Sequence, residues 1–257
     1  MFFKKNKLAL VWVIFWVLLN ILTFLFWDPS FHLENIFQNP NLLSPFGTDA
    51  FGRNLFFLIP FASFKSLFFS FFIVFLSSFF GTFTGLLLST LSAKLQFILH
   101  KFVEFVLAFP SILIVLLIAS LLPTGWSTLA IALLISYIPS FVRLAYVRSK
   151  EILLDDFILS AQALGGTKLH LATKHIFPSL RSFILIKATD IFSSVLLAEV
   201  SLTFIGVGAP LGNDTWGSLL LQGKSYLVEA PYIALFSGLP LFLTVYAIQS
   251  LVEKHKN

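Results

Sequence analysis

SLFFSFFIVFLSSFFGTFTGLLLSTL, residues 66–91, holds no charged side chain in 26 positions. A helix needs about 20 predominantly apolar residues to cross a hydrocarbon layer about 30 Å thick, so this run is long enough to span. Inside it, Gly81-x-x-x-Gly85 has the small-residue spacing at which membrane helices pack closely. Working outward from this run, five more segments of the same kind follow: Leu8–Trp27, Phe102–Leu122, Ser127–Val147, Ser182–Ile205 and Tyr232–Val252. The alternation of a barrel strand is absent, and only helices satisfy the backbone of such segments from within. The expected fold is an all-α polytopic membrane protein with six transmembrane helices. Pro110 and Pro139 are expected to kink the third and fourth.

The composition agrees. Of 257 residues 58% are hydrophobic and only 11% charged, against about 25% charged in a soluble domain. No cysteine is present, which excludes disulfides and thiolate metal sites. The net charge of +5 sits between the spans, where basic residues set topology, so it does not point to nucleic acid. Leu8–Trp27 is longer than the roughly 7–15 residues of a signal-peptide core, and no small-x-small cleavage site follows, so it reads as a retained span.

With the N-terminus inside, Lys4, Lys5, Lys7, Lys94, Lys101, Arg143, Arg148, Lys150, Lys168, Lys174, Arg181, Lys254 and Lys256 fall on the cytoplasmic side. Only Arg53, Lys65 and Lys224 fall outside, and Lys187 is within a span. That bias puts both termini in the cytoplasm. Two long outer segments remain, Asp28 to about Lys65 and Gly206 to about Pro231, rich in turn residues. Each is a lid, a dock or a connecting loop.

Residues 151–180 are cytoplasmic on this topology, and polar. Glu151 to Leu164 fits an amphipathic helix with Ile152, Leu153, Phe157 and Leu164 on its apolar side. Gly165-Gly166 stops it, Thr167 caps a second short helix from Lys168 to Ile176, and Pro178 sits close to the entry of the fifth span, where proline is tolerated in the first turn. Small Ala161, Ala163 and Gly165 would admit another surface closely.

Ser160-Ala161, Gly165 and Pro178 thirteen positions later resemble the cytoplasmic "EAA" loop of ABC importer permeases. The family's glutamate falls on Leu159 and its first alanine on Ser160. SPFGTDAFGRN, residues 44–54, is similar to the GTDxxGRD segment of the dipeptide, oligopeptide and nickel importers, with Ser44 for the usual histidine and Asn54 for the last acid. LAFP at 107–110, with Glu104 before it, and LAEVSLTFIGVG at 197–208 with Trp216-Gly217 resemble later parts of the same family in order.

The resemblance implies a type I ABC importer permease fold in the bacterial inner (plasma) membrane. Residues 1–65 would form an N-terminal transmembrane helix and outer segment, and 66–257 a core of five transmembrane helices with coupling loop 151–180. It implies a second homologous permease sharing the pathway, cytoplasmic ABC ATPase subunits and an extracytoplasmic substrate-binding protein. It also implies ATPase coupling through Leu159, Ser160, Ala161, Gln162, Gly165, Gly166 and Pro178. The outer segment is Gly47, Thr48, Asp49, Gly52 and Arg53, and the pathway or gate candidates are Glu104, Glu199, Trp216 and Gly217. No cofactor is expected in this chain, because no G-x-x-x-x-G-K-[ST] loop occurs; ATP and Mg would be bound by the partner ATPase. The implied cargo is a dipeptide, an oligopeptide or a nickel chelate, with peptide ranked first because Glu199 is kept.

Lys187 and Asp190, three apart in one span, either pair or face the pathway. Glu199 either lines the pathway or bonds a neighbouring helix. None of the five histidines has another at i+3 or i+4, so no metal site is expected. The rival reading is a stand-alone secondary transporter or channel using Lys187, Asp190 and Glu199. An enzyme would need a nucleophile, base and orienter, and no such set can be picked out.

Overall fold

A computed structural model describes residues 11–12, 14–21, 23, 31–163, 171–208 and 214–256. Among these the secondary structure is helical, apart from an isolated antiparallel bridge between Thr48 and Asn54. The first predicted span is helical at 11–12, 14–21 and 23, and its remaining positions lie outside the described residues. The longer helices are α1 (Leu55–Thr90), α2 (Ala93–Leu107), α3 (Ser111–Leu121), α4 (Trp126–Ile152), α5 (Asp156–Ala163), α6 (Phe177–Phe204), α7 (Trp216–Ser225) and α8 (Pro231–Lys256).

Among the described residues Leu55–Thr90, Trp126–Ile152 and Pro231–Ser250 are long and apolar enough to cross a membrane. The α2–α3 pair makes a fourth if it is one span. The 28 residues of α6 are long enough, but Arg181, Lys187, Asp190 and Glu199 keep it out of that apolar set.

Three boundaries differ from the sequence reading. α1 starts at Leu55, not near Ser66. Asn54 begins it by accepting the Phe56 N–H at 3.0 Å, and Leu55, Leu58, Ile59 and Ala62 form a buried stripe at helical spacing. The expected third span, Phe102–Leu122, is two helices bent by 85°. Pro110 supplies no N–H and disfavours helical backbone at Phe109, so the expected kink is a full break. Composition reports how apolar a segment is, not its direction. The expected helix Glu151–Leu164 is also divided: α4 runs through Ile152, Leu153–Asp155 turn, and α5 begins at Asp156. Asp155 and Asp156 suit a helix N-terminus.

The chain forms two compact units. One comprises Met1–Phe71, Thr124–Leu129 and Ser193–Asn257; the other comprises Phe72–Pro123 and Ala130–Phe192. The core of the first is built on Trp16, Leu58, Ile59, Leu196, Trp216 and Ile233. In the second, Gly81 and Gly85 of α1 meet α4. An added Cβ would lie 2.5 Å from Phe141 Cβ and 2.7 Å from Ala145 Cβ respectively. This is the close packing that the Gly-x-x-x-Gly spacing predicts.

Candidate functional site

Residues 31–54 fold back on themselves around Asp49. Gly47 and Gly52 have φ of 77° and 74°, backbone that side-chain-bearing residues rarely adopt. Space forbids a side chain there too: a Cβ on Gly47 would lie 2.6 Å from the Tyr232 ring, and one on Gly52 would strike the His32 carbonyl. The two turns bring Asp49 and Arg53 together. Asp49 is fully buried. Its Oδ1 accepts the N–H groups of Phe51 and Arg53 at 2.9 and 2.8 Å. Its Oδ2 accepts Arg53 Nε and Nη2 at 2.9 and 2.7 Å.

The remaining arm of Arg53 donates to Asp214 at 2.9 Å, so the two segments read as outer loops are tied by a charge-assisted bond. Burial works against the arginine's charge, but Asp49, by hydrogen bond and by charge, and then Asp214 hold its pKa above the ordinary arginine value. Thr48 completes the fold. Its Oγ1 accepts the Gln38 N–H at 2.8 Å, and its carbonyl accepts the Tyr232 hydroxyl at 3.1 Å. Asn54, which stands where the resembling family has an acid, donates its amide to the Leu43 carbonyl at 3.1 Å. A carboxylate could not make that bond.

Next along the same unit is the Glu199 cluster. Glu199 is fully buried. The Thr203 hydroxyl donates to its Oε1 at 3.3 Å, and the hydroxyls of Ser66 and Thr215 also face the carboxyl. Its Oε2 has no hydrogen-bond partner among the described residues. Thr215 caps α7 in a reciprocal box with Ser218, and the Trp216 N–H donates to Ser66 Oγ at 3.1 Å. The Trp216 ring is fully buried and stacks on Trp16 at 5.8 Å. Gly217 leaves room for α6, because a Cβ there would lie 2.7 Å from the Val200 carbonyl. Thus Glu199, Trp216 and Gly217 come together, whereas Glu104 is paired with Lys101 at 2.9 Å and His100 at 3.2 Å, partly exposed, in the other unit.

In the segment expected to couple, Ile158 of α5 is fully buried, packed with Ala145, Leu171, Ile176 and Leu180, with Ala161 and Leu153 against that cluster. Phe157, on the apolar side of the expected helix, is 49% exposed, and its neighbour Ile158 is the buried one. Gly165 and Gly166 lie outside the described residues, as do the side chains of Leu159, Ser160 and Gln162. Pro178 follows a π-helical turn, Ala172–Ile176, that runs directly into α6. The wider turn gives space where a proline ring would otherwise press on the preceding turn's carbonyl. Lys187 and Asp190 lie 3.6 Å apart as an i,i+3 pair.

Sequence reasoning missed Asp214, Tyr232 and Ser66. A charge argument could have found the first: Arg53 near a membrane needs more than one acid to use its donors, and Asp214 stands beside Trp216-Gly217. Nothing local marks Tyr232 or Ser66.

Helices with apolar spans and charge-locked connecting segments define an all-α polytopic membrane protein. Residues 77–257 match the family described as "Binding-protein-dependent transport system inner membrane component", and the chain belongs to that family of ABC importer permeases. It is 34% identical over 250 residues to the dipeptide transport system permease protein DppC of Alkalihalophilus pseudofirmus, covering 94% of this chain and 82% of that one. It is 32% identical over 212 residues to a putative peptide transport system permease protein of Brucella suis, covering 82% and 71%. The fold resembles a chain of the inward-facing methionine ABC transporter MetNI, with a TM-score of 0.58 at 18% identity over 75% of this chain and 94% of that one.

Proposed function

We propose that this chain forms half of the translocation pathway of an ATP-driven importer of peptides and couples it to a separate ATPase. The observation that carries this reading is the similarity to a permease named for dipeptides over 94% of the chain. The glutathione permease GsiD of Escherichia coli, 29% identical over 97% of the chain, supports the same cargo class over a nickel chelate. A second homologous permease supplies the other half of the pathway. Cytoplasmic ABC ATPase subunits bind ATP and Mg, and an extracytoplasmic binding protein delivers cargo. Both termini face the cytoplasm, as the bias of basic residues supports.

In this reading α5 and the residues after it are the coupling element. Closure of the ATPases moves α5 as a rigid piece, and its seat around Ile158 passes that motion to α4 and α6. The segment held by Asp49 and Arg53 is the outer face that meets the binding protein. The test is purification of the tagged chain in mild detergent. It is expected to bring down an ATPase and a second six-span permease, and the reconstituted assembly is expected to take up peptide only with ATP. Gly165→Trp is expected to leave membrane insertion unchanged and abolish uptake. Uptake without ATP by the chain alone would sink the assignment; normal uptake by Gly165→Trp would sink the coupling role.

A further inference from the structure

Within the second unit, the C-terminal half of α1 and the first turns of α6 leave a groove of about 720 Å³. Phe75, Phe79 and Phe83 line one wall, with Phe177 and Leu185 on the other, and Arg181 is the one charged residue of the lining. Leu86 packs in the same cluster as Leu180 and Ile184, so Arg181 stands at the α1 C-terminal end and the phenylalanines run away from it. From Phe75 to Thr90 the groove follows about 22 Å of helix at 1.5 Å per residue. That exceeds the roughly 15 Å depth of one hydrocarbon leaflet.

Arg181 is exposed, its guanidinium lies 5.7 Å from the Phe177 ring centre, and no carboxylate pairs with it among the described residues. A planar guanidinium with free donors is suited to bidentate capture of phosphate. Membrane helices approach most closely through glycines, and the glycines of this part of α1, Gly81 and Gly85, already face α4; from α1 the groove takes Ser78 and Thr82 set between phenylalanines. The face left over presents phenylalanines that are more than half exposed.

We propose that this groove is a binding site for an anionic phospholipid, with an acyl chain along the phenylalanines and the phosphate held by Arg181. The site is tested on the full chain, purified with whatever subunits accompany it. After detergent exchange it is offered equal amounts of phosphatidylglycerol and phosphatidylcholine with the same acyl chains, and bound lipid is read by native mass spectrometry. Retention of phosphatidylglycerol at about fivefold or more over phosphatidylcholine is expected. Arg181→Gln is expected to bring that ratio close to one, Arg181→Lys to keep part of it, and Ser78→Trp, which fills the groove, to lower retention of both lipids. Equal retention by the wild type, or an unchanged ratio in Arg181→Gln with normal thermal stability, would overturn the proposal. If Arg181→Gln does not fold, unchanged retention of phosphatidylglycerol in Ser78→Trp does the same. The chain has no cysteine of its own. A cross-link from Ser78→Cys to a second permease subunit would show protein in the groove and also refute it.

Discussion

Residues 31–54 and the described residues of the second connection, 153–163 and 171–176, are held by opposite means. The first is fixed by charge and hydrogen bonds: both oxygens of Asp49 are used, and Arg53 reaches a second acid. The second is held by apolar contact, with Ile158, Leu171 and Ile176 seated against α4 and α6. The difference teaches how each responds to damage. A buried polar network fails when one member is lost, because the others are left charged and unpaired. An apolar seat weakens by degrees, with the volume removed.

The largest effect is therefore expected at Asp49. In Asp49→Ala, Arg53 keeps its charge at 9% exposure with only Asp214 as partner, and two backbone N–H groups lose their acceptor. Breaking a buried pair in this way costs about 3–5 kcal/mol. Thermal unfolding in detergent is expected to show a large loss for Asp49→Ala and a smaller one for Asp49→Asn, which still offers an oxygen to the backbone. A midpoint unchanged by Asp49→Ala would mean that the segment is not held by this pair.

Ile158→Ala comes next. Removing a fully buried isoleucine typically costs about 2–5 kcal/mol. Here the loss is expected to be local, since the cluster is small. Faster proteolysis or hydrogen exchange at 153–176, with the unfolding midpoint of the whole little changed, is the expected sign. A cooperative loss across the whole chain would make this seat part of the main core and blur the contrast with residues 31–54.

How much of this was legible in sequence follows the same divide. Apolar runs and the Gly81/Gly85 spacing revealed the helices and one packing face, because both are local patterns. The directions of the chain were less visible. The break before Pro110 and the turn at Leu153–Asp155 depend on a few backbone angles inside segments that composition treats as continuous. Gly47, Asp49, Gly52 and Arg53 could be singled out, but the reason they matter involves Asp214 and Tyr232, more than 160 positions away. Glu199 could be named without its surroundings, because Ser66, inside α1, and Thr215, at the start of α7, carry no pattern of their own.

The smallest effect refines the comparison inside the polar-tied unit itself. Trp16 and Trp216 stack on each other with planes 7° apart, and both are buried, so their apolar contributions are alike. Their N–H groups are not alike. Trp16 donates to Ser63 Oγ at 3.0 Å, whereas Trp216 Nε1 is buried with no partner among the described residues. Phenylalanine at either position loses similar ring area. At Trp16 it also removes a hydrogen bond worth about 0.5–1.5 kcal/mol, while at Trp216 it relieves an unmet donor. Trp16→Phe is therefore expected to lower stability in detergent by about 1 kcal/mol more than Trp216→Phe. If Trp216→Phe proves the costlier change, its indole N–H has a partner in the assembled transporter, and Trp216 belongs among the groups that meet another molecule.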